Sequence, residues 1–176
     1  LSGGIDSDEI RLGLPTDLSG PVVEYGNESR NAAQMAVDEV NAAGGVNGRK
    51  INLIVEDHGY EPRRAMLAVQ KLINQDDVFA VVSNLGTATN MAVLPTLLEN
   101  HIYNFLPQGA SPALYDPPDR YKVALAPSYT TMAMDSLTWM YEQKPYERLC
   151  ILYQDDDYGR ETLHGVEAFA ERRGMP

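Results

Sequence analysis

Three consecutive aspartates, Asp155 to Asp157, form the most concentrated group of potentially reactive side chains in the sequence. Loop carboxylates can bind a metal ion or act as general acids and bases. Consecutive loop residues point in different directions, however, and a calcium loop requires acids at alternate positions and a more distant glutamate. The spacing therefore argues against one shared cation.

Two threonines that follow a glycine, Thr87 and Thr89, stand at the predicted start of a helix. Hydroxyl groups and the free backbone N–H groups of a helix N-terminus can together bind an anion, so this segment suits a ligand carboxylate. The alternative is that the threonines only cap the helix. Because one cap is enough, the second threonine favours an additional binding role.

Motifs of the common enzyme classes are absent from the sequence. No glycine-rich phosphate-binding pattern follows the first predicted strand, and no G-x-S-x-G segment occurs. The histidines His58, His101 and His164 share no metal-ligand spacing, so we expect them on the surface or in loops. The single cysteine, Cys150, excludes an internal disulfide, and its apolar neighbours predict a buried thiol. We therefore expect a protein without enzymatic activity, metal or cofactor.

The amino-acid composition of the chain argues against two classes of binding partner, nucleic acids and membranes. The chain has 176 residues and a formal net charge of −11, and its 44% hydrophobic content is sufficient for a core. An acidic surface repels nucleic acids and anionic membranes. No apolar run approaches the roughly 20 residues needed to span a bilayer. We expect neither nucleic-acid binding nor direct membrane insertion.

Strand-like and helix-like segments alternate along nearly the whole chain. This alternation predicts a parallel sheet with helices on both faces. The predicted strands are EIRLGLP, KINLIVED, VFAVVS, IYNFLP, YKVALAP and RLCILY.

The loops that follow these strands are the expected place for a site, because ligands bind beyond the carboxyl ends of strands in open parallel sheets. A predicted helix starts after Ser128, and another runs from Tyr158 to Arg173. The loops to examine are residues 16–25, 57–61, 83–89, 107–111 and 154–158.

Several of these segments fall in a familiar order: LSGP followed by YG, the turn NAAGGVNGRK, then GASPAL and DDDYG. Together they resemble the type I periplasmic solute-binding proteins of the leucine/isoleucine/valine-binding family, the soluble receptors of ABC importers. The resemblance covers the whole chain. It implies an α/β fold of the periplasmic-binding-protein type I class, with a parallel doubly wound sheet in the first lobe and the start of a second α/β lobe.

The resemblance also implies a function. A receptor of this kind closes two lobes on a small carboxylate ligand and then docks on the membrane permease subunits of its importer. It would be periplasmic or, in a Gram-positive host, an extracellular lipoprotein tethered to the membrane. The alternative function is a ligand-sensing domain of a receptor or regulator with the same fold.

Members of the family are much longer than this chain. We expect residues 1–126 to form the first, ligand-binding lobe and residues 127–176 to begin the second, since Pro127 and Ser128 interrupt the alternation. The sequence is therefore expected to be the N-terminal half of a longer protein. The alternative is a complete one-domain protein with a flavodoxin-like fold.

Ligand contacts are implied by the resemblance in both lobes. Thr87, with Ala88 and Thr89 beside it, would bind the carboxylate in the first lobe. Tyr25 would line the cleft, and Tyr158 would pack on the ligand from the second lobe. The three aspartates before Tyr158 would be solvated residues and helix caps.

One position departs from the family pattern. Gln108 falls where the family offers a backbone carbonyl to the ammonium group of the ligand. Amino-acid binders carry a threonine or serine two residues later, but this chain has Ala110, followed by Ser111. The expected ligand is a branched-chain amino acid or another amino or aromatic acid, and the missing hydroxyl favours an acid other than leucine, isoleucine or valine.

Overall fold

A five-stranded parallel sheet forms the centre of the structure, a computed structural model that describes residues 3–175. Its strands are β1 (Glu9–Thr16), β2 (Lys50–Asp57), β3 (Ala80–Val82), β4 (Tyr103–Phe105) and β5 (Lys122–Val123). Their order across the sheet is β2-β1-β3-β4-β5, and every neighbouring pair is parallel. From β1 the chain passes to β2 on one side of β1, and from β2 it passes to β3 on the other side. The carboxyl ends of β1 and β3 therefore form a topological switch point, where sheets of this kind bind ligands.

Five α-helices accompany the sheet: α1 (Val23–Ala42), α2 (Pro62–Asn74), α3 (Thr87–Glu99), α4 (Tyr129–Gln143) and α5 (Asp157–Arg173). Right-handed crossovers that run in opposite directions across a sheet place their helices on opposite faces. Helix α1 therefore covers one face, and α2 and α3 pack together on the other. The predicted parallel α/β fold is confirmed. Within residues 3–175, no helix has the length and apolar character that crossing a membrane requires.

The core lies between the sheet and the pair formed by α2 and α3. Helix α2 starts at Pro62, a position where the missing N–H of proline has no helical partner to lose. Its apolar residues recur at helical spacing and point to one face. The fully buried members of this core are Ala65, Val69, Leu72, Val78, Val81, Val93 and Leu97.

Two helices differ from their sequence prediction, α1 in where it begins and α3 in how it accommodates a proline. Helix α1 begins at Val23, so Tyr25 lies in its first turn and not in the preceding loop. Helix α3 begins at Thr87 and continues through Pro95, which the sequence predicted to kink it or mark its start. The N-cap of α3 is Gly86, without a side-chain capping bond.

The predicted sixth strand is wrong. Residues 148–153 are not a strand in the structure, Leu152 is fully exposed and Cys150 is exposed as well. A strand forms only where a neighbour satisfies its backbone N–H and C=O groups. None of the strands within residues 3–175 lies beside this segment. The prediction of a buried Cys150 fails for the same reason.

Helices α4 and α5 pack against each other after the sheet. Ser128 caps α4, as predicted, because its Oγ accepts a 3.2 Å hydrogen bond from the N–H of Thr131. A Cβ on Gly165 would lie 2.8 Å from the Cβ of Ala133, so the two helices approach closely at this glycine. Phe169 is buried between them. The division into lobes after residue 126 stays a prediction.

Candidate functional site

A cavity of about 380 Å³ opens at the carboxyl ends of the strands. All five predicted loops contribute to its wall, together with the first residue of α4. Its aromatic residues are Tyr25, Tyr60, Tyr129 and Tyr158. Its polar side chains are Thr87, Gln108 and Gln154. We call this space the tyrosine cavity.

A larger cavity of about 470 Å³ lies at the opposite end of the sheet. Its wall includes Tyr103 and Tyr121, which stand at the beginnings of β4 and β5, and the exposed Arg120. The amino ends of parallel strands are not where sheets of this class hold ligands. The tyrosine cavity is therefore the candidate site.

A buried aspartate shapes the loop after β1. The Asp17 carboxylate accepts hydrogen bonds from the backbone N–H groups of Ser19, Gly20 and Val22, at 3.1, 2.5 and 2.8 Å. Helix α1 starts directly after this turn, and Gly26 allows its close approach, since a Cβ there would lie 1.7 Å from the Asp17 carbonyl oxygen. The turn places Tyr25 at the rim of the cavity, where its side chain is 67% exposed.

Asp57, the last residue of β2, ties the first two loops together. Its carboxylate accepts hydrogen bonds from the Leu18 N–H, the Ser19 hydroxyl, the Gly59 N–H and the Arg64 guanidinium, at 2.9, 2.6, 2.9 and 2.7 Å. Burial raises the pKa of this carboxyl, but these hydrogen bonds and the positive charge of Arg64 lower it overall to about 2. The carboxylate therefore stays ionised and holds both loops at neutral pH.

His58 follows directly and lies in a loop, as the prediction of a surface or loop histidine allows, but its side chain is fully buried. Its Nδ1 accepts a 2.9 Å hydrogen bond from the N–H of Tyr60. Burial lowers the pKa of His58 to about 4, although the nearby carboxylates of Asp17 and Asp57 act in the opposite direction. The imidazole is therefore neutral at pH 7 and can accept the hydrogen bond from the backbone N–H of Tyr60.

Tyr60 adopts a positive φ of 62° and packs its ring over Gly86. A Cβ on Gly86 would lie 2.7 Å from a carbon of that ring, and the φ of Gly86 is 99°. Both facts favour glycine at this position. Burial raises the pKa of the Tyr60 phenol, so the ring is neutral in the cavity wall.

The two threonines at the start of α3 have different environments. The Thr89 Oγ1 donates to the carbonyl of Leu85 and lies 2.9 Å from that of Gly86, so it is turned into the helix. Thr87 is buried but lines the cavity, and its Oγ1 lies 3.4 Å from the hydroxyl oxygen of Tyr129. Because no side chain caps α3, its first N–H groups keep their capacity to bind an acceptor.

Three buried asparagines hold the loop that carries these threonines. Asn90 donates to the carbonyls of Asn84 and Gly86, at 2.8 and 2.6 Å. Its own amide oxygen accepts from the side chains of Asn84 and Asn104, at 3.1 and 3.4 Å. This cluster was not predicted, although asparagines within apolar segments are a visible signal of buried polar contacts.

Gln108 reaches the cavity wall, but its backbone is already bonded. Its carbonyl accepts the Gly86 N–H at 3.0 Å, and its N–H donates to the Asn84 carbonyl at 2.9 Å. Ala110 and Thr89 are buried, Ala88 is half-buried, and none of the three lines the cavity. The Ala110 carbonyl accepts the N–H of Tyr129 at 3.1 Å.

The second segment of the wall comes from the start of α4 and α5. The rings of Tyr129 and Tyr158 meet edge to face, with centroids 4.9 Å apart. Tyr129, Tyr60 and Gln154 were not predicted individually as wall residues, although Tyr60 and Gln154 lie in two of the predicted loops. Tyr129 is the first residue of a helix, and the position of Tyr60 depends on an unusual backbone conformation.

The three aspartates before Tyr158 have separate surroundings. Asp156 caps α5 by accepting the Gly159 N–H at 3.1 Å, and Asp155 forms a 2.8 Å ion pair with Arg160. Asp157 lies in the first turn of α5, where a negative charge is favourable. Within the described part of the chain, no three His, Cys, Asp or Glu residues are grouped as metal ligands.

Comparison with known sequences identifies a matching protein family. A family described as periplasmic binding protein matches residues 9–176. The Leu/Ile/Val-binding protein BraC3 of Rhizobium johnstonii is 35% identical over 106 residues, which cover 60% of this chain and 29% of that protein.

Solved structures of substrate-binding proteins have a fold similar to that of this chain. A fatty acid ABC transporter substrate-binding protein from Thermomonospora curvata superposes with a TM-score of 0.87 and 28% identity, over 99% of this chain and 44% of the other. A possible leucine/isoleucine/valine-binding protein from Rhodopirellula baltica gives 0.87 and 26%, over 97% and 46%. The chain spans less than half the length of each of these relatives.

Proposed function

Because the chain belongs to the periplasmic binding protein family, we propose that it is part of the solute-binding receptor of an ABC importer and holds a small carboxylate. The observation that carries the proposal is that Thr87 lines the tyrosine cavity at the uncapped N-terminus of α3, with its hydroxyl beside that of Tyr129. A carboxylate placed there would accept hydrogen bonds from the Thr87 hydroxyl and from the backbone N–H groups of the first turn of α3.

The names of the relatives point to the same chemistry. One is named for leucine, isoleucine and valine, and another for a fatty acid. The group that these ligands share is a carboxylate attached to an apolar body. The tyrosine cavity suits both parts of such a ligand. Polar groups for the carboxylate lie at Thr87 and Gln108, and aromatic rings for the apolar body form much of the remaining wall.

Two parts of the chain form the cavity, which supports a cleft between lobes. Residues 1–126 would be the first lobe and residues 127–176 the beginning of the second, which contributes Tyr129, Gln154 and Tyr158 to the wall. A ligand that contacts both parts stabilises the closed arrangement relative to the open one. The closed receptor would then dock on the permease subunits.

The proposed location follows from the proposed role. A receptor that collects a solute for an importer works outside the cytoplasm, in the periplasm or as an extracellular lipoprotein attached to the membrane. We propose no catalytic step, because the groups that line the cavity are explained as ligand contacts.

A thermal-shift panel on the complete gene product tests the proposal. The panel contains leucine, isoleucine, valine, benzoate, 4-hydroxybenzoate and hexanoate, each with its primary amide as the matched control. We expect at least one carboxylate to raise the melting temperature in a concentration-dependent way and its amide to raise it less. A panel in which no carboxylate raises the melting temperature, or in which the amides act equally, contradicts the proposal.

A further inference from the structure

Tyr129 makes three contacts that bring together the main parts of the tyrosine cavity. Its backbone N–H donates to the carbonyl of Ala110 at 3.1 Å. Its hydroxyl oxygen lies 3.4 Å from the Oγ1 of Thr87, and its ring meets the edge or face of Tyr158 at a centroid distance of 4.9 Å. The residue therefore connects the segment of Ala110 with the start of α3 and with α5.

The separation of the two hydroxyls is informative. Hydrogen bonds between hydroxyl groups usually measure about 2.5–3.0 Å between oxygens. At 3.4 Å, Thr87 and Tyr129 satisfy each other only weakly. Both protons can therefore turn toward a stronger acceptor, and a carboxylate oxygen is such an acceptor, because hydrogen bonds to an ionised partner are shorter and stronger.

We infer that Tyr129 is a specificity-determining residue whose hydroxyl supplies, beside Thr87, the hydroxyl that position 110 lacks. The inference rests on the proposed function. The side chain of Ala110 is a methyl group that is 4% exposed, but its carbonyl anchors the backbone of Tyr129. This anchor fixes the first residue of α4, and the side chain then extends to the cavity with its hydroxyl at Thr87.

The ligand class follows from the groups around this pair. Thr87 and Tyr129 offer two hydroxyls to the two oxygens of one carboxylate. The rings of Tyr25, Tyr60 and Tyr158 offer apolar faces for the body of the ligand. Among the described residues that line the cavity, none carries a charged side chain, so none offers a counterion to an ammonium group. These residues favour a monocarboxylate with an apolar or aromatic body.

A conservative substitution tests the role of the hydroxyl. Tyr129→Phe removes the oxygen and keeps the ring against Tyr158. The matched control is Tyr115→Phe, which removes a hydroxyl from an exposed tyrosine outside the cavity. Titration calorimetry on the complete gene product uses all six carboxylates of the thermal-shift panel as probes. For every probe that binds, we expect Tyr129→Phe to weaken binding about tenfold and Tyr115→Phe to leave it within twofold.

The variant Thr87→Val distinguishes a failure of the proposed function from a failure of the inference about Tyr129. If no probe binds the unmodified protein, or if Thr87→Val binds as tightly as the unmodified protein, the proposed function fails and this inference falls with it. If Thr87→Val weakens binding and Tyr129→Phe does not, the receptor assignment stands and the inference about Tyr129 is wrong. A loss of binding in Tyr129→Phe counts for the inference only if its thermal unfolding matches that of Tyr115→Phe, and a lower melting temperature counts against it.

Discussion

The Nδ1 of His58 accepts a 2.9 Å hydrogen bond from the backbone N–H of Tyr60. This bond connects a fully buried imidazole to a residue whose ring forms part of the tyrosine cavity. Only the neutral imidazole can accept it, because a protonated histidine has no acceptor nitrogen. The shape of the cavity wall at Tyr60 therefore depends on His58 remaining uncharged.

The first prediction concerns pH between about 4 and 6.5. The folded-state pKa of His58 is about 4, below the ordinary value of 6.5, so in this window the unfolded chain binds a proton that the folded protein does not. Stability should therefore fall as pH is lowered through the window, by up to about 3 kcal/mol from this residue. Urea unfolding at a series of pH values measures the slope.

His58→Asn should flatten that slope, because the asparagine oxygen can accept the Tyr60 N–H and does not titrate. The control is His164→Asn, which changes an exposed histidine on α5. Equal slopes for His58→Asn and the unmodified protein would show that another group titrates in the window.

The second prediction concerns Asp57 at lower pH. Its pKa is lowered from 3.8 to about 2, so the stability that its carboxylate contributes is present above about pH 4 and lost as pH falls toward 2. Asp57→Asn should cost about 2 kcal/mol at neutral pH and weaken the dependence on pH below 4. Asp8→Asn, at an exposed aspartate, is the control. Unchanged unfolding of Asp57→Asn at pH 7 would refute the role given to this carboxylate.

The third prediction separates the two threonines of α3. Thr87→Val should weaken carboxylate binding about tenfold, because a hydroxyl that faces the ligand is lost. Thr89→Val should instead lower the free energy of unfolding by about 1 kcal/mol, because its hydroxyl bonds to helix carbonyls. Calorimetry and urea unfolding on both variants decide between these effects. A larger loss of affinity for Thr89→Val than for Thr87→Val would contradict the assignment.

The fourth prediction concerns Asn90, which holds the loop before α3. Asn90→Ala leaves the carbonyls of Asn84 and Gly86 without its amide, and a buried carbonyl without a partner is costly. We expect a loss of roughly 2–4 kcal/mol of stability. Asn100→Ala, at an exposed asparagine, should cost less than about 1 kcal/mol. Similar stabilities of the two variants in urea unfolding would mean that the asparagine cluster is not a structural support.

Much of the fold was accessible from the sequence because its signals are local. The bounds of β2 and α2 match their predicted segments, since alternating apolar residues and Pro62 mark them directly. The five loops that line the cavity were also predicted, because the alternation of strands and helices fixes the edge of the sheet at which ligands bind.

What could not be predicted depends on contacts distant in sequence. The segment 148–153 has a strand-like pattern, but a strand also requires a neighbour. His58 lies in a loop, as predicted, but its burial could not be predicted, because it arises from the packing of the loops after β1, β2 and β3. The roles of Thr87 and Thr89 differ only in the direction of two hydroxyls, which their spacing does not determine.

A crystal structure of the complete gene product with the carboxylate that gives the largest thermal shift would show which groups hold the ligand. We predict that one carboxylate oxygen lies within hydrogen-bonding distance of the Thr87 Oγ1 and that the body of the ligand packs against Tyr158. Density for the ligand in the cavity beside Arg120, or anywhere outside the tyrosine cavity, would contradict the account.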